Sequence, residues 1–392
     1  MALTKNPFAL KIVFAVLCLV MLALQLRSMS GWTESRAVYD DICYLRQAHL
    51  FQRFGLKGFD TDISRDDDGY LKSKLKAIGF PGWNDARELP CHNFFPATGK
   101  LVIQYPPGPG MVIALFPAGH GVVAMFMLAT IGVFGVAMLA IFRARKPASI
   151  VVAGLFGCLA IYLMINPIKA SYSMAPTAIS CALSGYLAAR WFGAPPGDRR
   201  VAPLLVLGVL FGLSVNFRLA NIFLCGGCSL FLLIDFLRSH ALRHFLHGAL
   251  FALALVIGML PTFISYWVNT GSPFTSTYSG APDVRPLDFS FSVVWDYLGD
   301  DLQVALLALA IAGAIGLWLS REQGARRVAQ VTAANLAVNL AFFLTYPIAT
   351  PYYTIPISLL ALWSLLFGVV LSEAQAEPRA AQLTGTISPA SR

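Results

Sequence analysis

Ten apolar runs, each close to bilayer length, are strung along residues 8–371, and bases return in the connections after every second run. A hydrocarbon core about 30 Å thick takes a helix of about 20 residues, because only a helix satisfies its backbone polar groups within one segment. The runs are 8–26, 120–142 with a lead-in from Gly110, 149–165, 174–191, 202–217, 219–237, 248–268, 302–319, 328–346 and 355–371. Composition agrees, since 57% of the 392 residues are hydrophobic and 12% are charged, which excludes a disordered chain. The formal net charge of +9 does not mark a nucleic-acid binder. Its bases are not interleaved with aromatics into a patch, but sit in short tracts such as Arg143-Ala-Arg-Lys146 and Arg199-Arg200, the distribution that orients membrane proteins. The expected fold class is an all-α polytopic membrane protein with about ten transmembrane helices.

Lys5 and Lys11 place the N-terminus in the cytoplasm, and the first run is read as a retained helix because no small-residue cleavage site follows it. By the same parity, two long polar stretches reach the outer side: a first loop over 31–110 and a second over 269–301. Bases and acids cancel between residues 28 and 106, as suits an outer segment. Residues 1–371 form one transmembrane domain, and 372–392 read as a small polar, disordered cytoplasmic tail. Pro117 and its neighbouring glycines leave two readings of the second run, a kinked helix or a half-helix followed by a full span.

Five of the seven cysteines lie in apolar runs, where a thiol behaves as a small hydrophobe. Cys225-Gly-Gly-Cys228 belongs to these, since no second pair accompanies it. Cys43 and Cys91 lie in the first loop and are open to a disulfide if that loop faces an oxidising compartment. His240, His244 and His247, with Arg238 and Arg243, read as a basic surface helix at headgroup level. Asp66-Asp-Asp-Gly69 lacks the alternating ligands and closing Glu of a calcium loop and reads as a solvated turn.

The topology gathers Asp40, Asp41, His92, Lys169, Arg218, Tyr278, Tyr352 and Tyr353 on the outer side. Charges near membrane depth are costly and tend to line cavities or pathways. A carboxylate in reach of a hydroxyl or amine can act as a general base, and a nearby Arg or Lys can hold a phosphate as it departs. Those are the parts of an inverting group transfer from a lipid-linked phosphate.

Four short elements sharpen this. Asp40-Asp-Ile-Cys-Tyr44 follows the first run, Tyr105-Pro-Pro-Gly108 closes the first loop, Asn269-Thr-Gly-Ser-Pro-Phe274 with Thr277-Tyr278 follows a late run, and Tyr353-Thr-Ile-Pro356 precedes the last one. In order and membrane side they resemble the Asp-Glu-x-x-Tyr, Pro-Pro, Asn/Gly-Ser-Pro/Thr-Gly-Tyr and Arg-Tyr-x-x-Pro elements of the GT-C superfamily of membrane glycosyltransferases. The resemblance is to the group that includes membrane mannosyltransferases and aminoarabinose transferases. It implies a GT-C-like fold with juxtamembrane helices in the first loop, a polyprenyl-phosphate-linked sugar as donor, and a glycan, glycolipid or protein as acceptor. It also implies a multi-pass protein of the inner membrane with its site facing the periplasm or cell exterior, and no nucleic-acid partner. By carry-over, Asp40 is the catalytic base with Asp41 as its helper or a carboxylate ligand, and Tyr44, Tyr105, Tyr278 and Tyr353 line the substrate; the topology adds His92 to that lining, and Trp83 among the outer aromatics is a candidate sugar platform. Two departures stand out. Gln104-Tyr105 occupies the place of a basic residue before the Pro-Pro element, and Tyr352 stands where the superfamily often has Arg. The phosphate contacts then fall to Arg218 and Lys169, with Lys100 the nearest substitute before Pro-Pro. Some members use a divalent metal and others none, so the cofactor is left open. Two other readings compete: a transporter or flippase of a lipid-linked or small polar substrate, which would place charges near the midplane of its spans, and a non-catalytic envelope scaffold, which would tolerate substitutions at Asp40 and Asp41. Charges confined to the span ends favour the enzyme.

Overall fold

The computed structural model describes residues 6–34, 38–85, 88–279, 287–346 and 353–384. The turn 347–352, with Tyr352, lies outside the described residues. The first helix, α1 (Pro7–Ser30), leads to a capping layer made of α2 (Tyr39–Phe54), α3 (Tyr70–Ala77) and the antiparallel ribbon β1 (His92–Phe95) and β2 (Lys100–Ile103). A short helix, α4 (Gly108–Ala114), returns the chain to the bundle. There follow α5 (Gly121–Arg143), α6 (Pro147–Leu163), α7 (Met174–Gly193), α8 (Val201–Phe217), α9 (Gly226–Ser239) and α10 (Leu242–Thr270). A loop carrying α11 (Phe291–Leu298) precedes α12 (Asp301–Trp318), α13 (Gln323–Phe343) and α14 (Ile355–Thr384).

Ten helices thus stand where the ten apolar runs lie. Among the described residues, seven helical segments are long and apolar enough to cross a membrane, and α8 is apolar but shorter. The less apolar α7 and α13 are explained by position: α7 packs against α14, α8, α5 and α13, so protein rather than lipid surrounds it. Gly185 sets the α7–α14 crossing, since a Cβ there would lie 2.6 Å from the Cβ of Trp363. Between helices in lipid, close packing and hydrogen bonds replace the hydrophobic drive. Accordingly α13 spends its polar side chains on α9 and the turn before it: Gly227 donates its backbone N–H to Asn335 Oδ1, and Asn339 Nδ2 donates to the Phe223 carbonyl at 2.7 Å.

Pro261 interrupts the backbone ladder of α10, and α8 repairs the break. Asn216 Nδ2 donates to the Gly258 carbonyl at 2.7 Å, while its Oδ1 accepts from Thr262 N at 2.9 Å and Thr262 Oγ1 at 2.7 Å. Gly212 and Gly258 let the two backbones touch.

Of the two readings of the second run, the structure takes the half-helix, α4, followed by a full span, α5, the two joined through Pro117. Other sequence-based expectations are corrected here. The histidine tract is not a separate surface helix, because α9 stops at Ser239 and His244 and His247 already belong to the opening of α10. The acidic turn is not simply solvated: Asp67 pairs with Arg53 at 2.6 Å, Asp68 with His49 at 2.7 Å, and the largely buried Asp66 caps Leu71 N at 2.8 Å. Helix α14 continues past 371 to Thr384.

Candidate active site

The first turn of α2 carries Asp40 and Asp41, where carboxylates are favoured by the helix dipole. Neighbours on a helix point about 100° apart, and this separates the pair. Asp40 is exposed, whereas Asp41 is buried to 1% exposure. Burial leaves Asp40 as the carboxylate that a molecule arriving from outside can reach. Tyr44, one turn on, stacks on Tyr105 with ring centroids 4.9 Å apart, and the Tyr105 hydroxyl donates to Asp40 Oδ1 at 2.6 Å. Burial raises the pKa of both phenols, with the Asp40 charge adding to it. Tyr105 therefore stays a donor and the carboxylate its acceptor.

Tyr105 is held from both sides. Gln47 Nε2 donates to its carbonyl at 2.9 Å, and Thr277 Oγ1 donates to the Gln104 carbonyl at 2.7 Å. The glycines of the Pro-Pro-Gly-Pro-Gly element have a steric reason to be there. A Cβ at Gly108 would lie 2.4 Å from the Asn216 carbonyl oxygen, and one at Gly110 would lie 2.4 Å from Gln47 Cβ, so α4 wedges between α8 and α2 only without side chains. Tyr278 lies 6.1 Å from Tyr105, carried there by the second loop. Burial, then the neighbouring phenols Tyr44, Tyr353 and Tyr266, raise the Tyr278 pKa, with Arg218 opposing.

Arg218 occupies an extended position between α8 and the 3-10 turn Leu219–Cys225. Its guanidinium lies 3.9 Å over the Tyr353 ring, and its charge is felt by Tyr44 and Tyr278. Ser171 and Ser173, just before α7, hydrogen-bond each other at 3.0 Å and reach Tyr44. One cluster therefore brings together Asp40, Tyr44, Tyr105, Tyr278, Arg218 and Tyr353.

The other sequence-based candidates have different partners. Lys169 Nζ sits 4.2 Å over the Trp32 ring. Lys100 Nζ pairs with Asp60 at 3.0 Å and donates to the Val268 carbonyl at 2.9 Å, tying the ribbon to α10. His92 has both ring nitrogens engaged, Nδ1 with the Pro90 carbonyl at 2.7 Å and Nε2 with Arg46 Nη1 at 3.1 Å. The arginine donates, so Nε2 accepts and the ring is neutral. Burial and then the Arg46 charge push its pKa down to about 3. Trp83 lies under Lys76 at 5.3 Å and packs on the core. Cys43 and Cys91 are joined as a disulfide that staples α2 to the ribbon.

Two buried residues hold the capping layer together: Arg46, which the sequence reading passed over, and Asn269, which it named only as part of a short element. Arg46 is fully buried and donates to the carbonyls of Thr61 at 2.7 Å and Asp62 at 2.8 Å. Burial lowers its pKa to about 10, with Asp66, Asp62 and Asp60 opposing, so it stays charged. Its position four residues after Ile42, on the apolar stripe of α2, is the available signal for a buried cation. Asn269 is fully buried and clamps the capping layer to α10: its Oδ1 accepts from Thr61 N at 3.0 Å and Thr61 Oγ1 at 3.2 Å, and its Nδ2 donates to the Phe59 carbonyl at 2.8 Å.

No protein-family model matches the chain, and no curated protein sequence matches it. Among solved structures, the crystal structure of ArnT from Cupriavidus metallidurans bound to undecaprenyl phosphate is similar over 95% of this chain, with a TM-score of 0.52 and 18% identity. This chain spans 62% of the length of that ArnT chain. A likeness at that identity is one of fold: this chain shares the predominantly helical, polytopic fold of that ArnT structure.

Proposed function

We propose that the chain is an integral membrane glycosyltransferase. It moves a sugar from a polyprenyl phosphate to a glycan, glycolipid or protein acceptor at the outer face of the inner membrane. The observation that carries this reading is the exposed Asp40 carboxylate, fixed by the Tyr105 hydroxyl at 2.6 Å within the tyrosine cluster that also holds Arg218. Asp40 takes the proton of the acceptor hydroxyl or amine while that atom bonds to the anomeric carbon. The bond from that carbon to the phosphate oxygen breaks on the opposite side, so configuration inverts and the electron pair leaves with the polyprenyl phosphate. Arg218 meets the charge that develops on the leaving phosphate. The buried Asp41 supports the first turn of α2 from behind. The fold likeness to a protein crystallised with undecaprenyl phosphate supports the donor class.

The test compares envelope glycans and glycolipids by mass spectrometry in cells lacking the protein and in cells complemented with wild type or Asp40→Asn at equal membrane abundance. A hexose- or pentose-sized mass should vanish in the null and return with wild type. Loss of a general base costs about 10²–10⁴-fold in rate, so Asp40→Asn should not restore it. Full restoration by Asp40→Asn removes Asp40 as base, and an unchanged glycan profile in the null removes the transferase reading.

A further inference from the structure

At the end of the bundle away from the capping layer, α5, α7 and α14 leave a cavity of about 300 Å³ between them. Helices α5 and α7 both begin beside the capping layer, through Gly121 and Ser173, and bring Arg143 and Arg190 to the cavity in their last turns. Cations are favoured at helix C-termini, where the dipole is negative, so both positions are stable resting places for a guanidinium. What they converge on is unusual. Arg143 Nη1 donates to the Tyr186 hydroxyl at 2.7 Å, and Arg190 Nη1 approaches the same oxygen at 3.5 Å.

Two positive groups turned toward one neutral oxygen repel each other unless an anion joins them. Among the described residues, neither guanidinium has a carboxylate within 4.0 Å. The buried carboxylate nearby in sequence, Glu373 on α14, is committed elsewhere: it accepts from Arg145 N at 3.0 Å, Lys146 N at 3.2 Å and Ser149 Oγ at 2.5 Å at the start of α6. The Tyr186 oxygen accepts from the arginines, which turns its own proton outward, and Ser372 lines the same cavity. Two planar forks and two hydroxyls around a small opening are the donor set that phosphate oxygens match, and guanidinium suits them better than ammonium.

The structure assigns a phosphate-ester binding site to this cavity, built from Arg143, Arg190, Tyr186 and Ser372. The anion is a phosphate mono- or diester, supplied either by an anionic lipid headgroup or by a free phosphate. This site lies at the other end of α7 from the Asp40 cluster and does not depend on the transferase reading.

The test uses the full-length protein in detergent. Native mass spectrometry follows retention of phosphatidylglycerol against phosphatidylcholine, and thermal unfolding is followed with and without inorganic phosphate. Each charge-assisted contact is worth about tenfold in affinity. Arg143→Gln with Arg190→Gln should therefore cut phosphatidylglycerol retention by well over tenfold, while Lys146→Gln, an exposed neighbouring base, should leave it unchanged. Selective retention of phosphatidylglycerol lost in the double variant establishes the lipid source. No retention, but a phosphate-dependent rise in unfolding temperature that the double variant loses, establishes the free source. If the double variant does not fold, Tyr186→Phe, which removes the hydroxyl that orients both arginines and keeps the ring, must weaken binding several-fold. Equal binding by wild type and the folded variants, or no binding of either probe, overturns the assignment.

Discussion

Replacing Asn269 by Ala tests how the capping layer is held over the candidate active site. The amide is fully buried, and its removal strands three groups: the Thr61 N–H at 3.0 Å, the Thr61 hydroxyl at 3.2 Å and the Phe59 carbonyl at 2.8 Å. The Thr61 oxygen is already occupied as an acceptor by Ile103 N at 3.1 Å, so its proton has no ready second outlet. The Ser265 carbonyl is less affected, because it also serves the α10 ladder. A buried polar group left unpaired costs about 1–3 kcal/mol, and water entering the space left by the amide recovers part of the sum, so we expect a net loss of about 3–4 kcal/mol. Neighbouring ties survive, namely Lys100 to the Val268 carbonyl and Thr98 Oγ1 to the Asn269 carbonyl at 2.8 Å. The loss should therefore appear as local opening around Thr61 and β2, with the bundle intact. Hydrogen exchange followed by mass spectrometry should show peptides containing Thr61 and Ile103 exchanging roughly several hundredfold faster, while peptides from α7 and α14 are unchanged. Asn269→Asp sharpens the test: it keeps the acceptor for Thr61 but sets a carboxylate oxygen against the Phe59 carbonyl, so it should open the layer at least as far. Unchanged exchange at Thr61 in Asn269→Ala, or protection restored by Asn269→Asp, would refute the clamp.

His92 is held neutral in the fold with its pKa near 3, below its ordinary 6.5, so the unfolded chain binds the extra proton between those values and stability falls as pH drops below about 6.5. At pH 5 this amounts to about 2 kcal/mol, and His92→Gln should flatten that part of a pH series of thermal unfolding. Removing the disulfide with Cys43→Ser and Cys91→Ser frees a loop of sequence separation 48 and should cost about 4 kcal/mol. The unfolding midpoint of wild type should then fall with reductant and that of the double variant should not; a reductant-insensitive wild type contradicts the cross-link. Gly108→Ala forces a methyl to within 2.4 Å of the Asn216 carbonyl and should destabilise by about 1–3 kcal/mol, measured as a lower unfolding temperature in detergent.

Much of the architecture was legible because lipid imposes one rule on every span. Apolar length located six of the ten helices to within four residues at both ends, while α9 begins later than its run, α10 and α13 begin earlier and α14 continues beyond its own, and Pro117 with its glycines already admitted the break between α4 and α5. The ribbon of β1 and β2 was not legible. His92–Phe95 and Lys100–Ile103 are four residues each, too short for a period-2 pattern to stand out. At the site, the order of short elements pointed to Asp40, Tyr44, Tyr105, Tyr278 and Tyr353 and the membrane topology to Arg218, and these six lie together in the fold. The partners of Lys100 and His92 depended on contacts between residues far apart in the chain, Asp60 and Val268 for one and Arg46 for the other, and no local pattern carries that information. Arg46 itself was hidden by its type, since an arginine is usually at the surface unless paired.

The enclosure of α7 has a consequence for biosynthesis. Of the helices packed on α7, α14 leaves the ribosome after α5, α8 and α13, and at about 5–20 residues per second α7 waits on the order of ten seconds or more for it. During that interval Gly185 has no Trp363 and Ser364 to cover it, and the α14 face of α7 must be sheltered by the insertion machinery or by its earlier neighbours alone. Nascent chains arrested before residue 355 should therefore be substrates for membrane quality control, however apolar their individual helices.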